Sequence, residues 1–131
     1  MILLDTHVLL WMVREPTQLS RRAASEIRRA RLNQGVGIAA ITLWELARLF
    51  AVGRVRGTGT VETSIRQVVE GAGVIVRPIT PEIAAIGTQF PDDFPHDPAD
   101  RLIAATARAE GLMLVTRDER LRACPFLRTV W

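Results

Sequence analysis

A chain of 131 residues, 48% hydrophobic and 24% charged, has the composition of a folded domain rather than a disordered tail, and its length buries roughly two-thirds of the unfolded surface around one core. All 17 basic residues are arginine and the formal charge is only +3, a weak pointer to nucleic acid; the absence of lysine excludes P-loop, Schiff-base and phosphoacceptor-receiver chemistry. One cysteine, Cys124, allows neither an internal disulfide nor a thiolate metal site, and no apolar run reaches a signal-peptide core or the roughly 20 residues of a membrane span, which predicts a cytoplasmic protein.

Strand and helix patterns alternate along the chain. Residues 2–5 read as a buried strand, 7–13 as a short apolar helix, and 20–32 as a helix with Ala23, Ile27 and Ala30 on one face and solvated arginines on the rest. A second strand covers 36–40, and a helix over 43–52 ends at Gly53. Residues 54–60, with two glycines and no apolar rhythm, read as a mobile loop. A helix from 61 to 70 leads to a strand at 74–77, and Thr80-Pro81 is a helix start with Thr as cap and Pro in the first turn. That helix ends near Phe90, residues 91–95 turn, and Asp97-Pro98 opens a helix that Gly111 closes before a strand at 112–115. A short helix from Arg117 and a strand at 128–130 finish the chain. This alternation predicts a doubly wound parallel α/β sheet with right-handed crossovers, as a single domain over residues 1–131.

In four places an acid follows a strand or opens the helix that leads to one: Asp5, Glu45, Asp100 and Asp118. Ligands of an open parallel sheet bind beyond the carboxyl ends of its strands, so acids there would converge. Capping chemistry competes with this reading. Thr42-Leu43-Trp44-Glu45 and Thr116-Arg117-Asp118-Glu119 both fit a capping box, and Asp97 fits a helix cap with Asp100 in the first turn. Asp5 is the acid least explained by a cap. Acids within about 6 Å of one another repel unless a cation neutralises them, and oxygen-only ligands suit Mg2+ or Mn2+ better than zinc. Such an ion is usually completed by substrate phosphate, which points to phosphoryl or phosphodiester chemistry.

The start Met1-Ile2-Leu3-Leu4-Asp5-Thr6-His7-Val8-Leu9-Leu10-Trp11, the segment Ile41-Thr42-Leu43-Trp44-Glu45-Leu46, the run from His96-Asp97-Pro98-Ala99-Asp100 to Ala107, and Leu114-Val115-Thr116-Arg117-Asp118 resemble the PIN domain of VapC-type toxin ribonucleases. The resemblance extends over the whole chain. It implies a three-layer α/β/α sandwich with a central parallel sheet and a Mg2+-dependent endoribonuclease, with Mn2+ as a substitute ion. It also implies a homodimer, an RNA substrate and inhibition by a VapB-type antitoxin. Matched motif to motif, Asp5, Glu45, Asp100 and Asp118 take the places of the acidic quartet, with Asp97, Thr6 and Thr116 in support. On this reading Asp5 and Asp100 hold the principal ion, and Glu45 and Asp118 complete the site directly, through water, or through a second ion that arrives with RNA.

The remaining polar residues carry weaker expectations. Arg54 and Arg56 could clamp RNA from their loop, and Arg101 could bind phosphate or pair with an acid. His7 and His96 read as structural neighbours of the acids, and Trp11 and Trp44 as core residues. A phosphatase of the haloacid dehalogenase type would want an acid at position 7, where His stands. A DNA-directed nuclease with an acid cluster would carry a helical arch or DNA-binding modules, and a non-catalytic RNA- or partner-binding domain would have lost one or more acids.

Overall fold

The computed structural model describes all residues from Met1 to Trp131. Five short strands, β1 (Ile2–Leu4), β2 (Val36–Ala39), β3 (Ile75–Arg77), β4 (Met113–Val115) and β5 (Thr129–Val130), form one parallel sheet in the order β3-β2-β1-β4-β5. The chain builds outward from β1 through β2 to β3, then crosses back to place β4 on the other side of β1. The order therefore reverses between β1 and β4, the crevice where sheets of this kind bind ligands.

The linking helices are α1 (Thr6–Arg14), α2 (Arg21–Leu32), α3 (Ile41–Ala51), α4 (Val61–Ala72), α5 (Pro81–Gly87), α6 (Pro98–Glu110) and α7 (Glu119–Arg122), with a 3-10 turn at Pro16–Gln18 that the sequence pattern did not reveal. Because successive strand residues face opposite sides, Ile2, Leu4 and Val115 join one core with residues of α1, α2, α3 and α4. Leu3 and Leu114 join a second core with Ile83, Ile103, Ala104 and Leu121 of α5, α6 and α7. Helices thus cover both faces, the three layers expected of an α/β/α sandwich.

Local chemistry sets most helix ends. Ser20, Thr60 and Thr80 each accept a hydrogen bond from the backbone N–H three residues on, and Gly111 closes α6 at φ +65°, a conformation that disfavours side chains. Residues 54–60 are tied down, contrary to the mobile loop expected there. Ser64 Oγ accepts from Thr58 N at 3.1 Å and donates to Thr58 O at 3.2 Å. Gly57 makes this approach possible, since a Cβ at that position would lie 2.2 Å from Ser64 Oγ. Arg31, exposed like the other arginines of its helix, also donates to the carbonyl of Ala72 at the carboxyl end of α4 at 2.9 Å, where a cation is favoured.

Candidate active site

Register places the first two polar groups. Leu4 pairs with Val115, so Asp5 and Thr116 leave the sheet side by side at the reversal point. Asp5 Oδ1 accepts from Thr6 N at 2.8 Å and caps α1, and Oδ2 accepts from Thr116 Oγ1 at 2.7 Å. Asp5 is therefore a cap after all, with one carboxylate oxygen. Thr116 Oγ1 in turn accepts from Asp118 N at 3.1 Å. This is not the expected capping box: Asp118 is itself the cap of α7, and Thr116 faces Asp5.

Glu45 arrives from α3. The capping box assigned to Thr42 and Glu45 does not form, because α3 begins at Ile41 and Ala40 occupies the cap position. The same spacing of three residues puts both side chains on one helix face. There, Thr6 Oγ1 donates to Glu45 Oε1 and lies 3.0 Å from Thr42 Oγ1. A hydroxyl has one proton, so with that proton on Glu45 the Thr42 hydroxyl is the donor to Thr6. Thr6, Thr42 and Thr116 are fully buried, and no buried side-chain polar atom lacks a partner. The floor beneath the acids is thus a saturated network that holds Asp5 and Glu45 in place.

Asp97 and Asp100 divide their work at the start of α6. Asp97 Oδ1 accepts from Ala99 N at 2.8 Å as the cap, and Asp100 sits in the first turn. Its Oδ2 meets Arg120 Nη2 at 3.4 Å, while the same guanidinium donates to Asp118 Oδ2 at 2.8 Å. Asp5, Glu45, Asp97, Asp100 and Asp118 line one cleft of about 440 Å³ with His7, Trp11, Arg117 and Arg120.

The charges in this cleft do not balance. Burial raises the carboxyl of Asp5 above its ordinary value despite hydrogen bonds from Thr116 and Thr6, and burial raises Glu45 with help from Asp5 and Asp97. Asp100 is pushed up to about 7, by burial first and then by Asp97 and Asp5. Only Asp118 is lowered, by its hydrogen bonds from Arg120. A cleft that resists full ionisation of its own acids favours a cation. The donors are carboxylate and hydroxyl oxygens, which suit a hard divalent ion. No group of three acid, histidine or cysteine side chains is arranged to hold a metal ion by itself.

A PIN domain model matches residues 2–127. Ribonuclease VapC22 of Mycobacterium tuberculosis is 41% identical over 99% of this chain and 98% of that protein. The chain belongs to the PIN-domain family. Among solved structures, VapBC2 from Rickettsia felis bound to a promoter DNA fragment is similar to this PIN domain with a TM-score of 0.74 at 17% identity, covering 100% of this chain and 99% of that one. A toxin-antitoxin complex from Klebsiella pneumoniae aligns with a TM-score of 0.66 at 20% identity, over 100% and 97% of the two chains.

Within this PIN domain the acidic quartet, Asp97, Thr6 and Thr116 come together, and the expected arginines do not. Arg101 neither lines the cleft nor pairs with an acid: it donates to Gly87 O at 3.3 Å and lies over the Phe94 ring, 5.8 Å from its centroid. Arg54 lines a neighbouring groove of about 290 Å³ that shares His7 and Trp11 with the cleft. Arg56 contributes its carbonyl to Arg14. Trp44 is 61% exposed, not a core residue, whereas Trp11 is half-buried against Trp131 at 5.7 Å between ring centroids. His7 is exposed in the cleft, and exposed His96 lies outside it. Three participants escaped the sequence reading: Thr42, Arg117 and Arg120. Thr42 carried a usable signal, its spacing from Glu45, which capping chemistry explained equally well. Arg120 shares a short helix start with Asp118, and its reach to Asp100 depends on the tertiary fold.

Proposed function

We propose that this PIN-domain chain is a metal-dependent endoribonuclease that hydrolyses RNA phosphodiester bonds, using Mg2+ with Mn2+ as a substitute. The observation that carries the reading is one cleft at the β1/β4 reversal with carboxylates from four separate segments and more acid than cation. The relative bearing the name ribonuclease, alike over nearly its whole length, supports it. Asp5 and Asp100 would hold the ion, with Glu45 and Asp118 completing the site directly or through water. When bound, the ion supplies a water of lowered pKa and stabilises charge developing on the phosphate. The chain's own work is positional. Thr116 and the Thr6 amide fix both oxygens of Asp5, the Thr42–Thr6 pair fixes Glu45, and Asp97 sets the start of α6 that carries Asp100. No nucleophilic side chain is needed.

We further propose that the whole chain acts as one domain, as the toxin of a pair, dimeric and held inactive by a VapB-type antitoxin. The resemblance of its fold to chains solved in toxin-antitoxin complexes favours that role. No helix is long and apolar enough to cross a membrane, and an RNA substrate would be met in the cytoplasm. Incubation of the purified protein with total RNA, with and without Mg2+, followed by mapping of new 5′ ends, tests the activity. Discrete 5′-phosphate ends that need the metal are expected; RNA retained but uncut would favour a binding domain, and cleavage that persists in chelator would refute the metal role. Co-expression with the product of the neighbouring reading frame tests the toxin role by restored growth.

A further inference from the structure

Arg120 makes an unusual set of contacts for an exposed arginine. Its Nε donates to Asp118 Oδ1 at 3.2 Å and its Nη2 to Asp118 Oδ2 at 2.8 Å, a two-pronged grip on a residue two positions back. The backbone N–H of Arg120 also meets Asp118 Oδ1 at 2.9 Å, and that bond alone suffices to cap α7. The guanidinium is therefore not required for the cap. Its third contact, Nη2 to Asp100 Oδ2 at 3.4 Å, reaches a helix start 20 residues away and joins two of the acids.

The other acids are served differently. Asp5 is met by an amide and a hydroxyl, and Glu45 by a hydroxyl, all neutral donors. Both oxygens of Asp118 are instead held by a full positive charge, so an ion seeking Asp118 as a direct ligand would have to displace a charge-assisted, bidentate contact. Arg120 keeps 63% of its side chain exposed, and its Nη1 makes no hydrogen bond within the protein. The planar fork of arginine matches phosphate oxygens, and a guanidinium cannot be deprotonated away.

We propose that Arg120 takes the place of a second metal ion: it neutralises Asp118 and the facing edge of Asp100, and offers Nη1 to a non-bridging oxygen of the scissile phosphodiester. The site then works with one divalent ion, on the side of Asp5. This inference rests on the ribonuclease reading for its substrate but not for its charge arrangement, and the two are tested by different readouts.

The metal readout is Mn2+ titration of the metal-free protein, followed by electron paramagnetic resonance of free Mn2+. Wild type is expected to bind one equivalent, Arg120→Ala and Arg120→Gln two, and Arg120→Lys one, because the ammonium keeps the charge. Arg122→Ala, exposed on the same helix and outside the cleft, serves as control and should match wild type. The kinetic readout is the Mg2+ dependence of RNA cleavage. Arg120→Ala should cut about 10²-fold more slowly at low Mg2+, the usual loss on removing one preorganised charge donor, and should recover part of that rate at high Mg2+. Two equivalents in wild type, or equal stoichiometry and equal Mg2+ dependence in wild type and Arg120→Ala, would overturn the assignment. Should the alanine variant fail to fold, the glutamine and lysine variants carry the same comparison. A second Mn2+ bound by Arg120→Ala but not by wild type, together with no RNA cleavage by wild type, would sustain the charge arrangement and refute the ribonuclease reading.

Discussion

Beyond the ion pairs within single helices, the chain brings guanidinium and carboxylate together at β3 and at the β1/β4 reversal, and the two differ in balance. At the end of β3, Arg77 meets Glu110 through three contacts of 2.9 to 3.2 Å, one cation against one anion at the last residue of α6. At the β1/β4 reversal, five carboxylates face Arg117 and Arg120, and Arg117 lies over the Trp11 ring, 5.8 Å from its centroid. The first arrangement is complete in itself. The second holds a surplus of negative charge on a floor of saturated threonines and so favours a cation that the chain does not supply. A closed pair ties two elements together, whereas an open cluster implies a ligand.

Removing one acid should separate the two roles most sharply. Asp5→Asn keeps the shape and the oxygen that caps α1 but deletes a charge that burial already disfavours. RNA cleavage should fall by at least about 10²-fold, the scale on which loss of one preorganised electrostatic group acts. Melting temperature at neutral pH should hold or rise, because an active-site acid is kept at some cost to stability. Metal-dependent cleavage at the wild-type rate would remove Asp5 from the site.

Thr6→Val attacks the floor instead. The substitution preserves volume but leaves the Thr42 hydroxyl without its acceptor and Glu45 without its donor. A buried polar group so orphaned costs about 1–3 kcal/mol, read as a lower midpoint in urea, and cleavage should weaken as Glu45 loses its orientation. An unchanged midpoint would mean that water replaces the hydroxyl, and that the threonine chain does not hold Glu45.

Much of this was legible in the residues, and what was hidden has identifiable causes. Strand runs such as Ile2-Leu3-Leu4 and Leu114-Val115 are apolar on both faces, which only a sheet covered on both sides requires. The caps at Thr80 and Asp97 stand in the local sequence because their bonds close within three residues. Thr42 and Glu45 were ambiguous for a physical reason: a capping box and a shared helix face have the same spacing, and a start two residues earlier decided between them. Arg101 and Trp44 were misplaced because tertiary packing, not local spacing, sets their surroundings: Gly87 of α5 and the Phe94 ring for one, and solvent for the other. The loop at 54–60 looked mobile because the serine that pins it lies outside it, six residues beyond Thr58 in the following helix.

The charge surplus should also show in stability against pH. With Asp100 raised from 3.8 to about 7 in the folded protein, the folded state binds more protons than the unfolded one between those values, so stability falls as pH rises through that window. Asp5 and Glu45 are raised too and act in the same direction. Asp118, lowered by Arg120, works oppositely, but at pH below its ordinary value. Metal-free protein should therefore melt lower at pH 8 than at pH 5. Mg2+ should raise the melting temperature clearly at pH 8 and little at pH 5, since the ion must displace a proton from Asp100. A metal-free melting temperature that climbs steadily from pH 5 to 8 would contradict the surplus of negative charge.

The smallest effect belongs to the closed pair. Arg77 and Glu110 have side-chain exposures of 36% and 21%, so solvent screens much of their attraction. Such pairs contribute roughly 0–1 kcal/mol. Arg77→Ala and Glu110→Ala should each lower the urea midpoint slightly, the double variant should lose no more than the larger single one, and RNA cleavage and its Mg2+ dependence should be unaltered. The last point gives the experiment its value. If breaking a balanced pair on the far strand changed the metal requirement, charge imbalance at the β1/β4 cleft would no longer suffice to explain why the ion binds there, and the rigid sheet between the two places would have to transmit the effect.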